Sequence, residues 1–253
     1  MKNNQCLNCN HGTIGRFCSN CGQKTDTHRI KLGHFIMHDM VHGVWHLEKG
    51  ILFTLKEIFT RPGKAALDYI SGKRIRYYNV FYLSLLLIGL NLLLSHFYDG
   101  VRHGAEEIPK EGLALSDFFS KYLKLILLGI IPILAVNSML VFRRLKLNLA
   151  EHFIINGINL VGMLVISIFF SLANFLNELS STNILGYLEI GIFFLIPLFS
   201  FWVYWNAVKK QYSFGGFMWR IAAFYILILL QLALILGAIV YNVNGQNEMY
   251  INL

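Results

Sequence analysis

The chain has 253 residues, 55% of them hydrophobic and only 14% charged, with a mean hydropathy of +0.52. These values exclude an ordinary soluble domain and point to a polytopic membrane protein. The formal charge of +8 would suit a nucleic-acid partner, but most Lys and Arg precede the first long apolar run or lie in two later short loops. Positive-inside bias accounts for both locations, so no nucleic-acid role is expected.

The N-terminal segment, 1–27, reads Cys6-Leu-Asn-Cys9, eight intervening residues, then Cys18-Ser-Asn-Cys21-Gly22, and these are the only cysteines. Two C-x-x-C knuckles place four thiolates where they can close one tetrahedral metal site. Gly22 and Asn10 follow the second and first knuckles, where a backbone at positive φ is needed. A segment this short cannot bury a core, so its fold should depend on metal. Two disulfides are the competing reading. No signal peptide opens the chain, so the N-terminus is expected in the reducing cytoplasm, which favours zinc on Cys6, Cys9, Cys18 and Cys21. Phe17, Cys18, Cys21, Gly22 and Lys24 resemble the second half of small zinc-ribbon modules, although Asn10 stands where those modules usually have glycine. The resemblance implies a docking or structural role and no reaction.

Residues 28–76 are expected to form cytoplasmic amphipathic and juxtamembrane helices. From Ile30 to Leu47, Leu32, Ile36, Met37, Met40, Val41, Val44 and Leu47 share one helical side, and His34, His38, His42 and His46 form a stripe on the other. Spacing of i, i+4 suits two-point ligation, so the stripe is a candidate second metal site. A helix lying on the inner leaflet with solvated histidines is the plainer reading. Two short helices follow, Ile51 to Phe59 and one ending at Ile70, with Thr60 as N-cap, Pro62 in the first turn and Gly72 as C-cap. Lys73, Arg74 and Arg76 are the expected contacts to anionic headgroups.

Residues 77–253 are expected to hold five transmembrane helices, at about 79–97, 122–142, 153–176, 184–208 and 220–243. The first is uncharged and long enough to cross about 27 Å of hydrocarbon, and the cations before it fix its start inside. An acidic loop (Asp99, Glu106, Glu107, Glu111, Asp117) follows outside. Pro132 should bend the second span. Arg143, Arg144 and Lys146 return the chain inside, and Glu151-His152 opens the third span. Trp202, Tyr204 and Trp205 form an aromatic belt before Lys209-Lys210. The topology is N-terminus in and C-terminus out.

Lys49-Gly50, Phe53-Thr54-Leu55-Lys56-Glu57, Arg61-Pro62-Gly63-Lys64, Tyr69-Ile70, Gly72-Lys73-Arg74 and later Ala150-Glu151-His152-Phe153 resemble a bacterial membrane-protein family. It is known as domain of unknown function three-six-six-seven and is found mainly in Bacteroidetes. The resemblance implies a bacterial inner-membrane location and carries no activity.

Glu189 is the ionisable residue expected inside a span, and it marks a candidate solute path, a snorkelling or hydrogen-bonded carboxylate near the outer interface being the plainer reading. Asn137, Asn156, Asn159, Asn174 and Gln231 are expected to bond across helices. No H-E-x-x-H, G-x-S-x-G, Walker or dinucleotide pattern occurs, and Glu151-His152 reads as an interfacial anchor, so no enzyme is expected. The sequence therefore implies an all-α polytopic membrane protein, acting as a non-catalytic adaptor or assembly factor whose zinc ribbon docks a cytoplasmic protein. The alternative is a small-solute or ion transporter using Glu189 and the bent second span. The bilayer with anionic headgroups is the other expected partner, and self-association stays open.

Overall fold

The computed structural model describes residues 5–25, 29–30, 50–102, 129, 131–179 and 184–251. Among them the elements in chain order are α1 (Ile51–Thr60), α2 (Pro62–Ile70), α3 (Val80–Arg102), α4 (Ile131–Val141), a 3₁₀ turn at Arg143–Leu145, α5 (Leu149–Leu179), α6 (Ile184–Val208) and α7 (Phe214–Ile251). The described residues contain no β-strand beyond two isolated bridges near the N-terminus.

Local chemistry explains the boundaries. Thr60 does not cap α2. Its hydroxyl donates to Lys56 O at 2.9 Å inside α1, and Arg61, extended at φ −153°, is the N-cap that leaves Pro62 at the first helical position. The α2 C-terminus is a Schellman turn: Lys73 N donates to Asp68 O and Gly72 N to Tyr69 O, with Gly72 at φ 103° where a side chain would be strained. Asn79 caps α3 by accepting Phe81 N at 2.9 Å. Asn148 and Glu151 form a reciprocal capping box on α5: Glu151 N donates to Asn148 Oδ1 at 2.9 Å and Asn148 N to Glu151 Oε2 at 2.8 Å.

Among the described residues three helices are long and apolar enough to cross a membrane: Val80–Phe97, Leu149–Ala173 and Phe214–Ile235. They coincide with the expected first, third and fifth spans, but α5 and α7 begin four and six residues before the expected starts at 153 and 220. α6 covers the expected fourth span, 184–208, with its apolar stretch at Phe194–Val208, and only the end of the expected second span, α4, is described. Pro132 lies in α4 near the start of its described part, and a second proline, Pro197, lies inside α6.

α5 is the central helix, packed chiefly on α3 and α6 and also touching α1 and α2, while α2 wedges against α6 as well. Its span is 61% buried, against 11% for that of α7, which leans on α6 by its first turns. There Phe142 stacks on Tyr204 with centroids 4.9 Å apart and also meets Tyr212, Phe217 and Phe224. Such offset and tilted pairs add to the area they bury.

Several polar groups inside this bundle bond across helices, as expected of asparagines between apolar segments, although the buried Asn159 Nδ2 has no partner among the described residues. Asn137 and Gln231 exchange two amide bonds at 2.7 and 3.0 Å, joining α4 to α7. Asn91 of α3 donates to Leu164 O of α5 and accepts from Ser167. Between α4, α5 and α6, Tyr204 Oη donates to Asn156 Oδ1 at 2.6 Å, Asn156 Nδ2 donates to Ser138 Oγ at 3.0 Å, and Ser138 Oγ lies 2.9 Å from His152 Nδ1. All four residues of this group are buried.

Candidate metal centre

Each knuckle is a short loop closed by its own backbone. Cys6 N donates to His11 O and Asn10 N to Cys6 O at 2.8 and 2.9 Å, and in the second knuckle Cys18 N donates to Gln23 O and Gly22 N to Cys18 O, both at 2.8 Å. Closing such loops requires one residue in the left-handed region. Asn10 takes it at φ 60° and Gly22 at φ 74°, the two positions anticipated from sequence. The bridges Gln5–Gly12 and Phe17–Lys24 flank the two loops.

The loops bring all four Sγ atoms within 4.8 Å of one another. Cys6 lies 3.6 Å from Cys21 and Cys9 lies 3.6 Å from Cys18, so each contact joins one knuckle to the other. A disulfide would need about 2.05 Å. A tetrahedral site with metal–sulfur bonds near 2.3 Å has sulfur–sulfur edges of about 3.8 Å, close to the separation found. The four cysteines are free thiols placed to hold one metal ion.

Their surroundings prepare some of them as thiolates. The His11 backbone N–H, then the Asn20 side chain, pull Cys9 down to about 6, and the Asn8 side chain lowers Cys21. Burial pushes Cys6 up to about 11, although Asn8 N points at its sulfur from 3.4 Å. Thiolate, not thiol, is the metal ligand, so a cation entering here displaces protons, chiefly from Cys6.

The module is fastened to the base of α3. Arg76 donates through Nε to Asn8 Oδ1 at 2.7 Å and through Nη2 to Asn8 O at 3.1 Å, and buried Gln23 accepts Ile75 N at 3.0 Å. Asn8 thus joins Arg76 to the Cys21 sulfur, an outer-shell contact of the kind that orients metal ligands. The module also carries exposed apolar residues: Ile14 is fully open and Phe17 is 62% accessible.

The basic residues assigned from sequence to headgroups therefore have protein partners. Lys73 pairs with Asp68 at 2.9 Å, Arg74 lies over the Tyr69 ring at 5.9 Å, and Arg76 holds Asn8. Glu189 falls on α6. His34, His38, His42 and His46 lie outside the described residues, as do Glu106, Glu107, Glu111 and Asp117.

Two further polar sites escaped the sequence reading. Buried Glu57 pairs with Arg61 at 2.5 Å and accepts from Tyr77 Oη at 3.5 Å, under the rings of Phe53 and Tyr69. The carboxylate raises Arg61, and burial raises Tyr77, so this triad holds one carboxylate, one guanidinium and a neutral phenol. The i, i+4 spacing of Glu57 and Arg61 was a usable signal. Arg29 grips Glu151 with two bonds at 2.7 and 2.8 Å and donates to Lys146 O, and no local pattern announces a pair so distant in sequence.

Residues 48–88 match the model of a family described as "Protein of unknown function (DUF3667)". No curated protein and no solved structure matches the chain. The matched segment covers α1, α2, the Gly72–Asn79 loop and the start of α3.

Proposed function

We propose, from the premise that residues 48–88 match the model of the family of unknown function DUF3667, a non-catalytic membrane adaptor whose N-terminal module binds zinc and docks a partner protein. The observation that carries this reading is the pairing of a four-thiol cluster with two exposed apolar residues, Ile14 and Phe17, on a module fastened by Arg76 and Gln23 beside the first span. Zinc fits four sulfurs at tetrahedral spacing, as it has no preferred geometry of its own and favours thiolate. Closing the site folds a segment with too little core to fold alone. The exposed Ile and Phe side chains bury little within that fold and are the surface a partner would bury.

The same reading places the chain in the bacterial inner membrane with five spans, the module cytoplasmic and the C-terminus outside. Single cysteines introduced at positions 73, 183 and 209 of a chain with its own thiols protected report it: an impermeant reagent should label 183 alone in intact cells. For docking, the purified protein should carry one zinc per chain, and affinity capture should recover a protein that is lost when Ile14 and Phe17 are both replaced by Ser. Zinc retained with capture unchanged would refute docking through this surface. Iron, or no metal, would refute the zinc assignment.

A second reading, a small-solute or ion transporter, draws support from the buried Ser138, His152, Asn156 and Tyr204 group, since polar residues between spans can line a path. Solute flux by reconstituted protein that falls on Glu189→Gln or His152→Ala replacement would favour it over the adaptor.

A further inference from the structure

Where α4 ends and α7 begins, two arginines converge on one tyrosine. The guanidinium carbon of Arg220 lies 4.4 Å from the centroid of the Tyr212 ring, and that of Arg144 lies 5.4 Å from the same centroid. The two cations are therefore within about 10 Å of each other, roughly one Debye length at moderate salt, where they repel. Tyr212 is itself pinned: it is buried, it packs on Phe142, and its hydroxyl accepts Arg144 N at 2.9 Å. Arg220 is stacked a second time, 4.2 Å from the Trp219 ring, and Nη1 donates to Gly216 O at 2.8 Å.

Neither arginine has a carboxylate partner among the described residues. The Arg220 guanidinium has five donors and uses one on Gly216, while the Arg144 guanidinium donates to no described residue. The sequence contains no Asp or Glu between Glu189 and Glu248, and Lys209, Lys210, Arg143 and Lys146 belong to the same two turns. Arg220 also sits inside a helix apolar enough to cross a membrane, where an ionisable side chain with no counter-charge needs an explanation.

Trp219, Ile226 and Leu230 supply the rest of it. They stand at i, i+7 and i+11 on α7, so they share one helical face, and all three are exposed. The face carries a guanidinium and an indole at one end and bare apolar side chains running away from them. That layout matches one molecule with an anionic head and an acyl tail.

We propose that Arg144 and Arg220 hold the phosphate of an anionic phospholipid, with Tyr212 and Trp219 fixing the Arg220 fork and the acyl chain lying along Ile226 and Leu230. Arginine suits the role because its planar fork meets phosphate oxygens two at a time and is shed from water more readily than an ammonium. A free phosphate would use the same donors but would leave the apolar track bare, so the lipid is the source assigned here. This site differs from Lys73 and Arg76, each of which bonds a protein oxygen, on Asp68 and on Asn8.

The test uses the full-length protein in mild detergent, with native mass spectrometry counting phosphatidylglycerol retained from an equimolar mixture with phosphatidylcholine. Wild type should keep one phosphatidylglycerol in preference. Arg144→Gln should weaken retention several-fold and Arg144→Gln/Arg220→Gln by tenfold or more, while Lys209→Gln/Lys210→Gln should leave it unchanged, because exposed lysines only add general attraction. Arg144 is exposed and its single replacement leaves the aromatic stack intact, so that variant decides the matter if the double variant does not fold. Equal losses in the arginine and lysine variants, or no preference in wild type, would overturn the site. Full displacement of the lipid by inorganic phosphate would overturn the assignment to a lipid.

Discussion

Replacing Gly63 by Ala tests the packing at the junction between the juxtamembrane helices and the bundle. A Cβ built on Gly63 would lie 2.2 Å from Ala207 N, 2.5 Å from Val203 O and 2.6 Å from Asn206 C, all backbone atoms of α6. Ordinary contact begins near 3.4 Å, and backbone cannot rotate aside as a side chain can, so α2 must back away from α6 by about 1 Å. That retreat would also loosen Ala65 and Ala66, both fully buried. Overpacking costs about 1–3 kcal/mol in general, and with no side chain able to yield the cost here belongs at the upper end, about 3 kcal/mol. Better helix propensity returns at most about 1 kcal/mol. Gly89 is the control: a Cβ there meets nothing within 4 Å, so Gly89→Ala should be neutral or stabilising by up to about 1 kcal/mol. The two variants should thus differ by about 3 kcal/mol, a gap of roughly 6–12 °C in Tm for a protein of this size. Thermal unfolding in one detergent, followed by circular dichroism, measures it. If Gly63→Ala melts within a degree of Gly89→Ala, α2 and α6 are not in backbone contact and the junction is wrong.

Asn10→Ala should weaken metal retention against a chelator by about tenfold, because alanine at φ 60° costs roughly 1–2 kcal/mol, whereas Asn10→Gly should retain metal as well as wild type. In metal-free protein at pH 7, Cys9, held near 6, is mostly thiolate and Cys6, raised to about 11, is thiol; iodoacetamide should therefore modify Cys9 before Cys6, as peptide mass spectrometry would show. For the metal-bound module the sign is fixed by the ligands: protons compete with metal, so affinity falls as pH drops, and zinc release on acidification measured with a chromogenic chelator checks it. Arg29→Gln should leave the unfolding midpoint nearly unchanged because the arginine is mostly exposed, while Glu151→Ala removes the same pair and the α5 cap and should cost about 2 kcal/mol, read from unfolding midpoints.

What the sequence disclosed and what it hid follow from the range of the interactions. The knuckles were legible because spacing, thiol chemistry and the backbone need at Asn10 and Gly22 all act within four residues. The long apolar helices were legible because lipid solvation acts on composition, which a window reads directly. Boundaries were less so: Thr60 has the right chemistry for a cap, but its hydroxyl satisfies Lys56 O and leaves capping to Arg61. Arg76 was legible only as charge. Headgroups and Asn8 both offer oxygen to a guanidinium, and Asn8 lies 68 positions away in the chain, beyond the reach of any local pattern. Arg144 is legible only as inside charge and position 220 only as the start of a span for the same reason, since what joins them is a shared ring that no local pattern encodes.

The matched family segment, 48–88, lies where three such long-range demands meet. Ile75 and Arg76 hold the cysteine module, Gly63 sits against the α6 backbone, and Val80, at the head of α3, lies against Gly157 of α5. Within it, Glu57, Arg61 and Tyr77 close a buried polar triad that joins α1 to the loop before the first span. Thr54 repeats the link, accepting Tyr78 N at 2.7 Å. The Glu57–Tyr77 and Thr54–Tyr78 bonds each draw one end from α1 and the other from the loop, so the loop cannot shift without breaking hydrogen bonds at about 1–3 kcal/mol each. A module held by that loop is held by the bundle. The residues of this segment therefore serve the transmission of position from the membrane helices to the four cysteines, and they can do so whichever partner the exposed Ile14 and Phe17 engage.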